Sequence, residues 1–86
     1  MLKAYVLANC DIGYERCVIE ELKTIPCVKE AHGIMGAYDV VAEIESSSRE
    51  ELQRTITMKI RKVEKIKSTL TLEGIDGQRY SNIGTL

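Results

Sequence analysis

The chain has 86 residues, 44% of them hydrophobic and 29% charged, proportions close to those of ordinary folded domains. A chain of this size buries about 64% of its extended surface, enough for one core and not two, and the composition argues against wholesale disorder, collagen-like repeats and a fibrous rod. Twelve Lys and Arg against thirteen Asp and Glu give a net charge of −1. That balance lacks the cationic excess needed to neutralise a phosphate backbone, so no direct nucleic-acid partner is expected.

The longest apolar stretches, such as Ala4 to Ala8, fall far short of the ~20 residues of a membrane span. Met1-Leu2-Lys3 opens straight into a strand pattern with no signal-peptide layout. A cytoplasmic protein without membrane contact is the expectation. Cys10, Cys17 and Cys27 are odd in number and spaced seven and ten apart, neither a disulfide framework nor a CxxC pair. They read as reduced thiols, mostly packed as small hydrophobes, with a reactive Cys10 after the first strand as the sharper alternative. His32 is the sole histidine, which removes two-histidine metal sites and leaves a Cys/His nucleophile pair without support. No metal and no cofactor is expected.

In chain order, Leu2 to Asn9 alternates Leu2, Ala4, Val6, Ala8 against Lys3, Tyr5, Leu7, Asn9, a strand apolar enough on both sides to have two covered faces. Asp11 is placed to cap a helix whose stripe is Tyr14, Cys17, Val18, Leu22 and Ile25, ended by Pro26. Val28 to Ile34 and Tyr38 to Glu45 read as strands joined by the Met35-Gly36-Ala37 turn, a hairpin. Ser48 and Glu51 form a capping box before a second stripe of Leu52, Ile56, Ile60 and Val63. Ile66 to Leu72 is a fourth strand, with Ile66, Ser68, Leu70 and Leu72 on one face and Lys67, Thr69 and Thr71 on the other.

The order βαββαβ predicts an α+β, ferredoxin-like sandwich over residues 1–72, with the first and third strands central and both helices on one face. Tyr5, Leu7 and Val41 would then leave an apolar open face to be covered by a second copy. Residues 73–86 read as a tail in which Tyr80 to Ile83 forms a short extra strand or frays.

Enzyme signatures such as GxSxG, HExxH, a Walker loop and GxGxxG are missing from the sequence. The carboxylate pairs Glu20-Glu21 and Glu50-Glu51 read as solvated helix faces. The basic run Lys59, Arg61, Lys62, Lys65 and Lys67 has no interleaved aromatic on which bases could stack and suits a helix C-terminus. The segment Gly36-Ala37-Tyr38-Asp39 is different. Turn chemistry alone explains it, but Asp39 also offers an acceptor for a ligand ammonium, turn amides offer donors for a carboxylate, and Tyr38 a wall. Thr69 and Thr71 could add hydroxyls from one strand face.

With that turn the sequence resembles the ligand-binding domain of the leucine-responsive/asparagine-responsive (Lrp/AsnC) regulators, the RAM domain. The resemblance rests on Ala4-Tyr5-Val6-Leu7, Gly13, Glu21-Leu22, Ile25-Pro26-Cys27-Val28, Gly36-Ala37-Tyr38-Asp39 and Ser68-Thr69-Leu70-Thr71-Leu72. The family often has proline where Ile12 stands and glycine where Cys27 and Lys65 stand, and its usual helix-turn-helix domain is missing here, so the chain looks like a stand-alone module. The resemblance implies a dimeric α+β barrel with sheets packed face to face, dimers associating further, and an amino-acid effector bound where dimers meet. Met35, Gly36, Tyr38 and Asp39 would contact the effector from one subunit, and Thr69 and Thr71 from a neighbouring dimer. It also implies full-length Lrp/AsnC-type regulators as mixing partners. The competing expectation is a cofactor-free oxygenase or isomerase on a similar dimeric barrel, since fold does not dictate function. A metal-handling ferredoxin-like module is the poorest fit, for want of clustered His and Cys.

Overall fold

The computed structural model describes residues 1–73, and the tail with its expected strand at Tyr80 to Ile83 lies outside the described residues. The elements are β1 (Leu2–Cys10), α1 (Glu15–Lys23), β2 (Val28–Gly33), β3 (Val40–Ser46), α2 (Arg49–Arg54), a π-helical continuation (Thr55–Ile60) and β4 (Ile66–Glu73). They form one antiparallel sheet in the order β2-β3-β1-β4, so the first and third strands are central, as the pattern requires. This is the α+β ferredoxin-like arrangement.

Alternation along the strands decides which side chains meet the helices. Ala4, Val6, Ala8 and Cys10 of β1, Ala31 of β2 and Val40, Ala42 and Ile44 of β3 are buried, with Val18 and Leu22 of α1 and Leu52, Ile56, Ile60 and Val63 from the second helical region closing the core over them. A fully buried aliphatic side chain contributes about 1.5–3 kcal/mol, and total stability is typically about 5–15 kcal/mol. Each of these positions therefore matters. The opposite face holds Tyr5, Leu7, Val41, Leu70 and Leu72, with Tyr5 40%, Leu70 44% and Leu72 52% exposed.

Four local expectations are corrected. Asp11 does not cap α1: Tyr14 is the N-cap residue and no side chain bonds there. Gly13 at φ +88° makes a turn in which the Tyr14 amide donates to the Asp11 carbonyl at 3.0 Å, which delays the helix and leaves the Asp11 carboxylate to face Lys67 at 3.7 Å. Cys17 is exposed because the helix turns its Val18–Leu22 side to the sheet. Ile66 packs on the core rather than with Leu70 and Leu72. A register shift pairs Asn9 with Ser68 but Cys10 with Ile66, and one skipped residue swaps the face. Finally, the capping box is relayed. The Glu51 amide donates to Ser48 Oγ at 3.2 Å, whereas the Glu51 carboxylate accepts from Ser46 Oγ at 2.7 Å, and Ser46 Oγ accepts from the Ser48 amide at 3.1 Å. Ser46 is buried, so its hydroxyl stands where the carboxylate would have reached the amide directly.

The second helical region widens after Arg54. The Arg61 amide donates to the Ile56 carbonyl, five residues back, at 3.2 Å, while Leu52, Ile56, Ile60 and Val63 remain on the core side. Cys27 and Lys65, each just ahead of a strand, sit at φ +80° and +76°, a conformation that suits glycine. These are two of the positions at which the resemblance expects glycine.

Candidate functional site

The turn between β2 and β3 is tied down at its ends and open at its tip. The Ile34 amide donates to the Asp39 carbonyl at 2.8 Å, and the Asp39 amide donates to the Ala8 carbonyl at 3.0 Å. Between them Gly36 adopts φ +142°, Met35 is fully exposed and Tyr38 and Asp39 are half-buried.

Asp39 has a structural task that the sequence did not reveal. The β1–β3 ladder stops at Ala8 and Val40, and two residues further along β1 the amide of Cys10 donates to Asp39 Oδ2 at 3.1 Å. The side chain thus replaces a missing backbone acceptor. Cys10 itself is buried. Burial, and then the neighbouring Asp39, Glu15 and Asp11 carboxylates, raise its thiol pKa above the ordinary value, which suppresses the thiolate a nucleophile needs. The reactive-Cys10 alternative is thereby disfavoured.

Thr69 and Thr71 do not join the turn within one subunit. Thr69 pairs with Ala8 from the β4 side, whereas Val40, next to Asp39, pairs with Ala8 from the β3 side. A whole strand separates the two groups, about 10 Å across the sheet. Thr71 pairs with Val6 and so lies on the helix-bearing side, at an edge that the helices do not cover completely. It lines a cleft of about 140 Å³ with Gln53, Ile56, Thr57, Arg61 and Glu73. Of these, sequence reasoning noted Arg61 only as part of a basic run and passed over Gln53, Thr57 and Glu73, which no motif marks.

On the open face, Lys3 bridges Glu43 at 3.2 Å and Glu45 at 3.4 Å, and the Glu43 hydrogen bond raises the pKa of the Lys3 ammonium. His32 Nε2 lies 2.6 Å from Glu30 Oε1, an exposed strand pair. No group of three or more His, Cys, Asp or Glu is placed to hold a metal among the described residues. No helix among them is long and apolar enough to cross a membrane.

Residues 3–74 match the model of the Lrp/AsnC ligand binding domain. The chain belongs to that family. The Lrp/AsnC domain described here is 32% identical over 62 residues to an uncharacterised helix-turn-helix-type transcriptional regulator of Pyrococcus abyssi, covering 72% of this chain and 41% of the relative. It is 35% identical over 71 residues to a homocitrate synthase of Sulfurisphaera tokodaii, covering 81% of this chain and 15% of that enzyme. The chain thus spans less than half the length of either relative. Among solved structures, a hypothetical protein from Pyrococcus horikoshii is 39% identical with a TM-score of 0.81, over 87% of this chain and 90% of that one. A transcriptional regulator from Neisseria meningitidis, solved as an L-Met complex, shares the fold at 9% identity and a TM-score of 0.74, over 92% of this chain and 53% of the regulator. The chain is a ligand-binding domain of the Lrp/AsnC type, and the two sequence relatives named above are a helix-turn-helix-type regulator and a homocitrate synthase.

Proposed function

We propose that this Lrp/AsnC domain is an amino-acid-sensing module whose effector site lies between dimers and whose occupancy controls assembly. The observation that carries the reading is the separation of its two polar groups by β1. In one subunit the turn and the Thr69 and Thr71 strand lie on opposite sides of β1, with the buried Val6 and Ala8 side chains of the core between them, so on this reading a compact site built from both draws them from different copies. On this reading Asp39 accepts from the effector ammonium, turn amides at Gly36 donate to its carboxylate, Met35 and Tyr38 form walls, and Thr69 and Thr71 approach from the neighbouring dimer.

Two copies first pair through the open face, burying Tyr5, Leu7, Val41, Leu70 and Leu72. A ligand held between dimers shifts assembly only by its differential affinity for the assembled and separate states, typically about 1–3 kcal/mol. Full-length regulators of the family are the fitting mixing partners. The L-Met complex of the Neisseria regulator and the regulator relative support an amino acid as the effector class and regulation as the setting.

The test is light scattering after size exclusion with each of the twenty amino acids, followed by calorimetry on the responders. Asp39→Asn keeps an oxygen for the Cys10 amide while removing the charge. Its expected outcome is loss of effector binding with an unchanged melting temperature, and unchanged binding would remove Asp39 from the site.

A further inference from the structure

The basic run that the sequence singles out has no part in the effector site proposed above. Residues 54–67 hold six of the twelve Lys and Arg and one of the thirteen Asp and Glu, a net charge of +5, while the rest of the chain carries −6. The near-neutral total hides a polarised molecule. A helix C-terminus presents about half a negative charge, which accounts for one or two of these cations and leaves a surplus.

Local structure lines up part of that surplus. After Arg54 the core side is taken by Ile56, Ile60 and Val63, all buried, which turns Lys59 and Lys62 outward, and both are exposed. The Lys62 amide donates to the Lys59 carbonyl at 3.3 Å and the Val63 amide to the Ile60 carbonyl at 3.1 Å. Bonds that reach three residues back bring side chains three apart into line, so Lys62 follows Lys59. Lys65 comes three residues later, no more than about 11 Å from Lys62 along the chain. Lys59, Lys62 and the exposed Glu64 form no ion pair among the described residues, whereas Lys67 beyond them is met by Asp11 at 3.7 Å.

The fold then supplies what the run lacks in sequence, an aromatic ring. Tyr14, at the start of α1, is 41% exposed, and the Lys65 ammonium lies 4.6 Å from its ring centre. The two segments are tied at that point by the Asp11 amide, which donates to the Lys65 carbonyl at 2.9 Å. A row of cations that ends on a ring is the combination that holds single strands, phosphates on the cations and a base against the aromatic.

We propose that the track of Lys59, Lys62, Lys65 and Tyr14 binds single-stranded nucleic acid without reading its sequence. No track residue lines either cleft beside the second helical region, so an acidic peptide would find charge here and no socket for its side chains, whereas a phosphate backbone needs none. The contact is salt-sensitive: at about 0.7 per phosphate neutralised, three lysines give log K against log salt a falling slope of about 2. The track uses neither Asp39 nor a second copy.

The experiment is fluorescence anisotropy of a labelled oligothymidylate titrated with the full chain at rising sodium chloride, with a DNA duplex and polyglutamate as competitors. Saturable binding with that slope is expected. The double variant Lys59→Gln and Lys62→Gln, whose sites are exposed and whose fold is checked by circular dichroism, should weaken binding and lower the slope by about 1.4. Tyr14→Leu should weaken binding about tenfold with little change of slope, as loss of one stacked base implies, and Asp39→Asn should leave it unchanged. Absence of saturable binding at low salt, or affinity unaltered in the double lysine variant or in Tyr14→Leu, would overturn the proposal. Displacement by polyglutamate at equal charge would overturn it in favour of an acidic polypeptide, and a duplex that competes as well as a single strand would remove the ring from the contact.

Discussion

The two faces of the sheet are built from the same four strands and have opposite characters. The helix-bearing face is lined by small and branched residues, with Ala4, Ala8, Ala31 and Ala42 set among Val6, Val40 and Ile44, all buried. The open face carries bulk instead: Tyr5, Leu7, Leu70 and Leu72 lie on β1 and β4, while Lys3 with Glu43 and Glu45, and the hydrogen-bonded His32 and Glu30, make a polar strip along β1, β2 and β3. Small residues let helices approach closely and interdigitate. Large, half-exposed apolar residues beside organised charges are the makeup of an interface, an apolar patch with a polar rim. The first face is finished within the chain; the second, on the reading given above, is finished by another copy.

The largest effect should come from the covered face. Ile44 is fully buried at the centre of β3, and Ile44→Ala should cost about 2–5 kcal/mol through lost burial and the cavity left behind, read as a lower urea midpoint. A cost near that of an exposed site would mean that the core is not organised around β3. On the open face the pair Leu70→Lys and Leu72→Lys should act differently. Circular dichroism should keep its native shape, because these side chains make no part of the helix-packed core, while the mass in solution falls to that of a monomer. An unchanged mass would show that the open face is not where copies meet.

That contrast was largely legible in the sequence, since alternation along Leu2 to Asn9 and Tyr38 to Glu45 determines which residues share a face, and the three- and four-residue spacing of Leu52, Ile56, Ile60 and Val63 marks the helix side. The exceptions have physical causes that a pattern of apolar residues does not carry. Ile66 crossed to the core through a skipped residue opposite Asn9 and Cys10, and the alternation itself looks the same with or without that skip. The widened turn at Thr55–Ile60 keeps the same apolar stripe as a regular helix. Asp11 lost its capping role to a turn at Gly13. The composition of the candidate site was readable in Gly36 to Asp39, but the Cys10 amide on Asp39 and the grouping of Gln53, Arg61, Thr71 and Glu73 around one cleft depend on contacts between distant segments.

A smaller effect tests the covered face through its thiol. Burial raises the Cys10 pKa above the ordinary 9.0, so the folded state holds that proton after the unfolded chain has released it. The stability contribution is therefore fully present below about pH 9 and is lost as pH rises through the folded value. Urea midpoints measured at neutral pH and at increasing alkaline pH should show a steeper fall for the native chain than for Cys10→Ala. Equal falls would assign the alkaline loss to other groups. Iodoacetamide at neutral pH should modify the exposed Cys17 while sparing Cys10 in the folded protein.

The smallest effect concerns the two joints that lead each helical region back into a strand and so hold the helices over their face. Cys27 and Lys65 occupy the left-handed region at φ +80° and +76°, which costs a residue with a Cβ about 1–2 kcal/mol, while glycine's greater freedom in the unfolded chain offsets up to about 1 kcal/mol of any gain. Cys27→Gly should therefore stabilise by a net amount of about 0.5 kcal/mol or somewhat more. Lys65→Gly should gain less, because the Lys65 ammonium lies 4.6 Å from the centre of the Tyr14 ring, a contact worth about 0.5–1 kcal/mol at an exposed site. Urea unfolding of both variants decides the matter. Equal gains would make backbone strain the sole difference and the Tyr14 contact energetically silent, whereas a loss at Cys27 would mean that its packing against the core outweighs the strain of the turn.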